Sequence, residues 1–197
     1  MLIVGVLANL GLIILFAAEK KEFRLIESWQ PYESRSAGFS VMYPKGWRVM
    51  EFNRYDIEFE ARFCRSPESY VSAVASLEGS VMVGLLKHGR ASRDPLKMYH
   101  EKLVAGSEGR FRHFKSLETV EMKVAGMEAY GTSFSYRTWN GLMGRAMKGM
   151  VVSTWNGDHY IALQFVCPAR EHDTMFAVFG TFLQGFKPEK VVLDEGD

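Results

Sequence analysis

The chain has 197 residues, 47% hydrophobic and 24% charged, with a formal net charge of +1. Those proportions are those of an ordinary globular protein. The near-neutral balance excludes a general nucleic-acid binder, which needs a strongly basic face to displace counterions.

Met1–Ala18 departs from globular composition: it reads MLIVGVLANLGLIILFAA and contains no charged side chain. At the rise of an α-helix it would reach about 27 Å, close to the hydrocarbon thickness of a bilayer. A buried core helix is the bland alternative, opposed by a segment that is apolar all round with Asn9 as its polar residue. A cleaved signal peptide is the other. It is opposed by the absence of a basic n-region and of a small-x-small site before Glu19. The segment reads as an uncleaved single-span anchor in contact with the lipid bilayer. Lys20, Lys21 and Arg24 follow it and nothing basic precedes it, so the positive-inside rule places the rest of the chain in the cytoplasm.

Residues 19–37 read as a polar connector carrying Trp29 and Tyr32. Phe39–Tyr43 alternates as a short strand and stops at Pro44-Lys45-Gly46. Tyr55–Phe63 alternates more strongly, with Tyr55, Ile57, Phe59, Ala61 and Phe63 on a dry face and charged residues between them. Tyr70–Leu77 and Ser80–His88 read as two more strands around Glu78-Gly79. Asp94–Ala105 is a predicted helix, with Ser92 or Asp94 to cap it, Pro95 in its first turn, and Leu96, Tyr99 and Leu103 along one side. Gly106–Gly109 closes it, and Phe114–Val124 is the next strand.

The organising stretch follows. Glu128–Trp139 alternates, with Tyr130, Phe134 and Tyr136 on one face; Asn140-Gly141 suits a hairpin turn, and Leu142–Trp155 returns. After Asn156-Gly157-Asp158, His159–Cys167 is a strand with Ile161, Leu163, Phe165 and Cys167 on one face and Gln164 on the other, ended by Pro168. Ala169–Phe186 shifts to helical spacing, with Met175, Phe179, Phe182 and Phe186 in one stripe. The tail, residues 189–197, is acidic.

The order of these motifs resembles the PsbP-like family. "GFSVMYPKGW" (Gly38–Trp47) is followed by a helix, then "VAGMEAY" (Val124–Tyr130), a hairpin, "NGDHYIALQF" (Asn156–Phe165) and a terminal aromatic helix ending "FGTFLQGFKP" (Phe179–Pro188). The resemblance spans 38–188. It implies an α+β domain, an antiparallel sheet flanked by helices in an α-β-α sandwich, which is also similar to the fold of a small Ran-binding nuclear import factor. The family includes accessory proteins of membrane complexes and has no shared catalytic motif. Its members are mostly extracytoplasmic, in periplasm or lumen, which opposes the cytoplasmic placement from the charge rule.

The residues themselves offer little chemistry. His88, His100, His113, His159 and His172 form neither HExxH nor a Cys/His cluster with zinc spacing. His100-Glu101 and Glu171-His172-Asp173 are adjacent pairs whose side chains diverge, so they read as structural or solvated groups. No nucleophile elbow or phosphate loop is present. Cys64 and Cys167 read as buried thiols or, in an oxidising compartment, as a pair. No catalytic, cofactor-binding or metal-ligating set is predicted. Lys87–Lys115 is basic and reads as a solvated helix with its loops or as a docking face for an acidic partner or lipid head groups. The expected function is a membrane-anchored, non-enzymatic accessory subunit or assembly factor, bound to subunits of a membrane complex through Arg90, Arg93 and the hairpin tip at Trp139. An extracytoplasmic ligand- or metal-binding module is the alternative.

Overall fold

A computed structural model of the chain describes residues 28–34, 38–52, 59–64, 80–86, 95–138, 144–156 and 160–188. The strands are β1 (Trp29–Ser34), β2 (Phe39–Pro44), β3 (Arg48–Phe52), β4 (Phe59–Cys64), β5 (Ser80–Leu86), β6 (Arg112–Val124), β7 (Met127–Arg137), β8 (Ala146–Trp155), β9 (Tyr160–Pro168) and β10 (Lys187–Pro188). Helix α1 (Leu96–Glu108) precedes β6; a 3-10 turn (Ala169–Glu171) leads from β9 into helix α2 (His172–Gly185). Seven strands form one antiparallel sheet in the order β3-β4-β5-β9-β8-β7-β6, and β1-β2-β10 form a second. The segment Met1–Ala18, the turn at Asn140-Gly141 and the strand expected at Tyr70–Leu77 lie outside the described residues. Among the described residues no helix is long and apolar enough to cross a membrane.

The period-2 expectation holds through the meander. On β9, Ile161, Leu163, Phe165 and Cys167 are buried toward α2, while Val166 faces α1. On β7, Phe134 and Tyr136 face α1, and Ala129 faces α2. The helices thus cover opposite faces, and the fold is α-β-α. The β6–β7 turn places Ala125 at φ 51 and Gly126 at φ 81, the two positive values that a tight hairpin with right-handed twist requires.

The terminal stripe packs as its spacing predicts. Met175, Phe179, Phe182 and Phe186 are buried, with Phe179 4.9 Å from Phe165, Phe182 5.1 Å from Phe63, and Phe186 5.7 Å from Phe39, ring centre to ring centre. Through these contacts α2 joins both sheets. Cys64 and Cys167 are both buried and form no disulfide with each other.

The structure departs from the sequence reading at several places, among them β3 (Arg48–Phe52), a strand that reading did not name. The connector ends earlier than expected, because Trp29–Ser34 is a strand paired with β2 along its whole length. Pro31 hides it from a sequence reading, and β1 tolerates Pro31 because it is an edge strand. Helix α1 starts at Leu96 with Pro95 at its N-cap position and no side-chain cap, and it runs past Ala105 through Gly106 to Glu108. Strand β8 starts at Ala146, not Leu142. Ala169–Glu171 is a 3-10 turn, so α2 proper begins at His172.

Two stability predictions follow from this packing. Phe179→Ala should cost about 3–5 kcal/mol, and so lower the melting temperature by roughly 6 °C or more in a domain of this size. A shift of about a degree in thermal unfolding would mean that the helix does not hold the sheets. Gly149 faces a closer limit, because a Cβ there would overlap the carbonyl oxygen of Phe165 and lie 2.8 Å from Cζ of Phe134. The backbone oxygen cannot swing away without breaking the β8–β9 ladder. Gly149→Ala should therefore unfold the domain several degrees lower, whereas Gly106→Ala, open on its helix, should not.

Candidate interaction surface

Helix α1 lays Leu96, Tyr99, His100, Leu103, Val104 and Ser107 toward the sheet, a stripe at i, i+3, i+4, i+7, i+8 and i+11. Its fully buried member is His100, at 0% exposure. The ring meets Ser153 Oγ at Nδ1 and Thr132 Oγ1 at Nε2, each 2.8 Å away. Thr132 Oγ1 lies 2.7 Å from Thr119 Oγ1, so the chain of polar groups crosses β8, β7 and β6. A neutral imidazole donates from one nitrogen and accepts at the other, and three hydroxyls can order their protons to match. Burial holds the imidazole well below its ordinary range, at about 4 instead of 6.5.

A serine 2.8 Å from a histidine has the separation of a nucleophile and its base. Here both are at 0% exposure, under α1, so no substrate carbonyl can reach Ser153 Oγ. The group is a polar lock between helix and sheet. Beside it Tyr99 stacks on Tyr160 at 3.9 Å, and Trp155 lies 4.6 Å from Tyr160. The Tyr99 hydroxyl is buried with no hydrogen-bond partner among the described residues, and that burial pushes its pKa up. Tyr130 donates to Glu128 Oε1 at 2.7 Å, which raises the phenol to about 12.

The α2 face is covered unevenly. Helix α2 packs chiefly on β2, β9 and β8. Farther along the sheet, Val120 on β6 is 47% exposed and Leu117, in the bulge between Ser116 and Thr119, is 68% exposed. Gly131 on β7 leaves space into which Met150 and Met122 lean.

Arg90, Arg93 and Trp139 lie outside the described residues. Of the basic stretch, Lys97, Lys102 and Arg110 fall on or just after α1, while Arg112 and Lys115 fall on β6. His172, in the expected His/carboxylate grouping, sits 3.2 Å from Asp173 and against Phe165 and Phe176. No cluster of three or more His, Cys, Asp or Glu side chains suited to a metal occurs among the described residues. The His100 lock was missed as a group: His100 read as a structural or solvated group beside the Leu96, Tyr99 and Leu103 stripe, Thr132 falls on the Tyr130, Phe134 and Tyr136 row, and no row was assigned to the strand of Ser153.

No family model matches the sequence, and no curated protein matches it. Solved structures do. The solution structure of cyanobacterial PsbP (CyanoP) from Synechocystis sp. PCC 6803 aligns over 82% of this chain and 92% of its own, with a TM-score of 0.53 and 16% identity. The fold is PsbP-like. The Ran-binding protein Mog1p of Saccharomyces cerevisiae aligns over 82% of this chain and 95% of its own, with a TM-score of 0.53 and 10% identity. At such identities the likeness is one of fold.

The lock makes stability depend on acid. The unfolded chain takes up a proton at His100 near pH 6.5, and the folded one only near pH 4, so this contribution is complete above about 6.5 and lost as pH falls toward about 4. His100→Ala should cost about 1–3 kcal/mol for the stranded hydroxyls alone. It should also flatten the fall of melting temperature across that pH range. An unchanged pH slope would show that His100 does not carry the linkage.

Proposed function

We propose that this protein is a non-enzymatic accessory subunit or assembly factor of a membrane protein complex, tethered by Met1–Ala18 and binding through its PsbP-like domain. The observation that carries the reading is the half-covered sheet: α2 shields β9 and leaves Val120 and Leu117 of β6 in water. An apolar centre ringed by polar groups is the arrangement of an interface, and Val120 and Leu117 stand beside the polar and cationic residues of the same face. Two further observations support it. The Ser153–His100 pair is sealed from substrates, and a structural neighbour is itself described as Ran-binding. In this reading the domain is extracytoplasmic, and Arg90, Arg93 and Trp139 add partner contacts. The tether confines the domain to the plane of the membrane, where effective concentration near a membrane partner is high.

The full chain should stay in the membrane through alkaline carbonate washing, with Met1–Ala18 retained in the mature mass. In mild detergent it should co-purify with a stable protein partner. An N-terminus near Glu19 removes the tether. A chain that is monomeric in every mild detergent removes the accessory role.

A further inference from the structure

Register assigns each side chain of β6–β8 to a face. Val120, Met122 and Val124 pair with Gly131, Ala129 and Met127, which puts all six on the α2 face. The same alternation along β7 puts Ser133, Ser135 and Arg137 there. Lys115 and Lys148 both pair with Ser135, and Arg112 pairs with Arg137. Four cations from three strands therefore crowd one end of one sheet face, and all four are exposed. On this face the paired residues of the three strands include no carboxylate. Glu118, exposed in the bulge with Leu117 opposite Ser133, is the one carboxylate these strands bring to this face among the described residues, while Glu121 and Glu128 pair with Tyr130 and Lys123 on the α1 face. Lys115, Arg137 and Lys148 have no ion-pair partner among the described residues.

The shape narrows the partner. Three neighbouring strands span about 10 Å, the width of one α-helix. Along β7 the floor is short, Gly131, Ser133 and Ser135, and α2 rises beside it as a step with the 47%-exposed Phe176 on its flank. A flat bilayer would touch α2 before it touched the floor. A single rod-like segment fits between α2 and β6, next to Val120 and Met122. We propose that this open half of the α2 face is a docking trough for an acidic amphipathic helix of a partner protein. Its carboxylates meet Arg112, Lys115, Arg137 and Lys148, and its apolar side lies on Val120 and the methionines over Gly131. The helix completes the layer that α2 begins.

This rests on the accessory reading and names the partner's chemistry. The test uses the full-length chain in neutral detergent micelles. Its probe is a fluorescent helical peptide with Glu on one face and Ala and Met on the other, with anisotropy in empty micelles subtracted. The chain should bind the peptide, and more weakly as salt rises. Lys115→Glu with Lys148→Glu should weaken binding at least tenfold, whereas Lys123→Glu on the opposite face should change it less than twofold. Equal binding by the doubly reversed variant overturns the proposal, as does equal binding of a peptide with Lys in place of Glu. Attachment of the face to phosphatidylglycerol nanodiscs without peptide binding overturns it in favour of a lipid surface. If the reversed variant keeps a co-purifying partner, the trough fails and the accessory role stands. If the peptide binds as expected and no partner co-purifies, the accessory role fails and the trough stands.

Discussion

The aromatic contacts of α2 hold the two sheets in one body. Phe179 and Phe182 stand on Phe165 and Phe63, and Phe186 reaches Phe39 of the small sheet. Rings in tilted or edge arrangements at about 5 Å combine a large buried area with favourable quadrupole geometry. The small sheet has three strands, one of them two residues long, too little to bury a core alone. It persists because Phe39 and Val41 are buried in the same cluster as α2. Tyr32 of β1 extends that cluster, its ring 5.2 Å from Phe63 and its hydroxyl donating to Glu51 of β3.

The opposite helix is held on different terms. Leu103 and Val104 of α1 pack against a smaller apolar cluster with Phe134, Tyr136, Met147, Val151 and Val166. The buried centre of its stripe is an imidazole between two hydroxyls. Such a contact adds little net energy, because water would satisfy the same groups in the unfolded chain, but leaving any partner unmade is expensive. The lock therefore selects one seat for α1 on β7 and β8 more than it strengthens it. A helix slid by one turn would strand His100, Ser153 and Thr132 together.

Unequal cover of the sheet follows from the path of α2. It starts at the end of β9, where Pro168 closes the strand, and runs toward β2. The helix thus leaves the part of β6 before Met122 and the Ser133–Arg137 part of β7 less covered on that side, while Val124 and Ala129 stay buried. The strands there change character: short, polar or cationic residues replace the aromatic rows found under α2. That is how a sheet face stays in water without a cover. Bulges along β6 and the charges on it limit edge pairing with further strands.

The strand faces of β7 and β9 and the buried stripe of α2 were legible in the sequence, since each depends on a local period of 2 or 3.6 that neighbouring residues impose on one another. The fold class was legible for the same reason, with the motif order as a guide to its kind. Tertiary structure decided that β5 pairs with β9 across the α1–β8 segment, and that β1, interrupted by Pro31, joins a sheet. It also decided which polar residues meet. His100, Thr119, Thr132 and Ser153 come from four elements, and Lys115 finds Lys148 only because β7 lies between their strands. The basic stretch 87–115 was visible as a run, yet its described cations separate onto a helix, the turn after it and a strand, and those on β6 join Arg137 and Lys148. Charge along a chain is a local quantity; charge across a face depends on strand order and register, which long-range hydrogen bonding and burial set together.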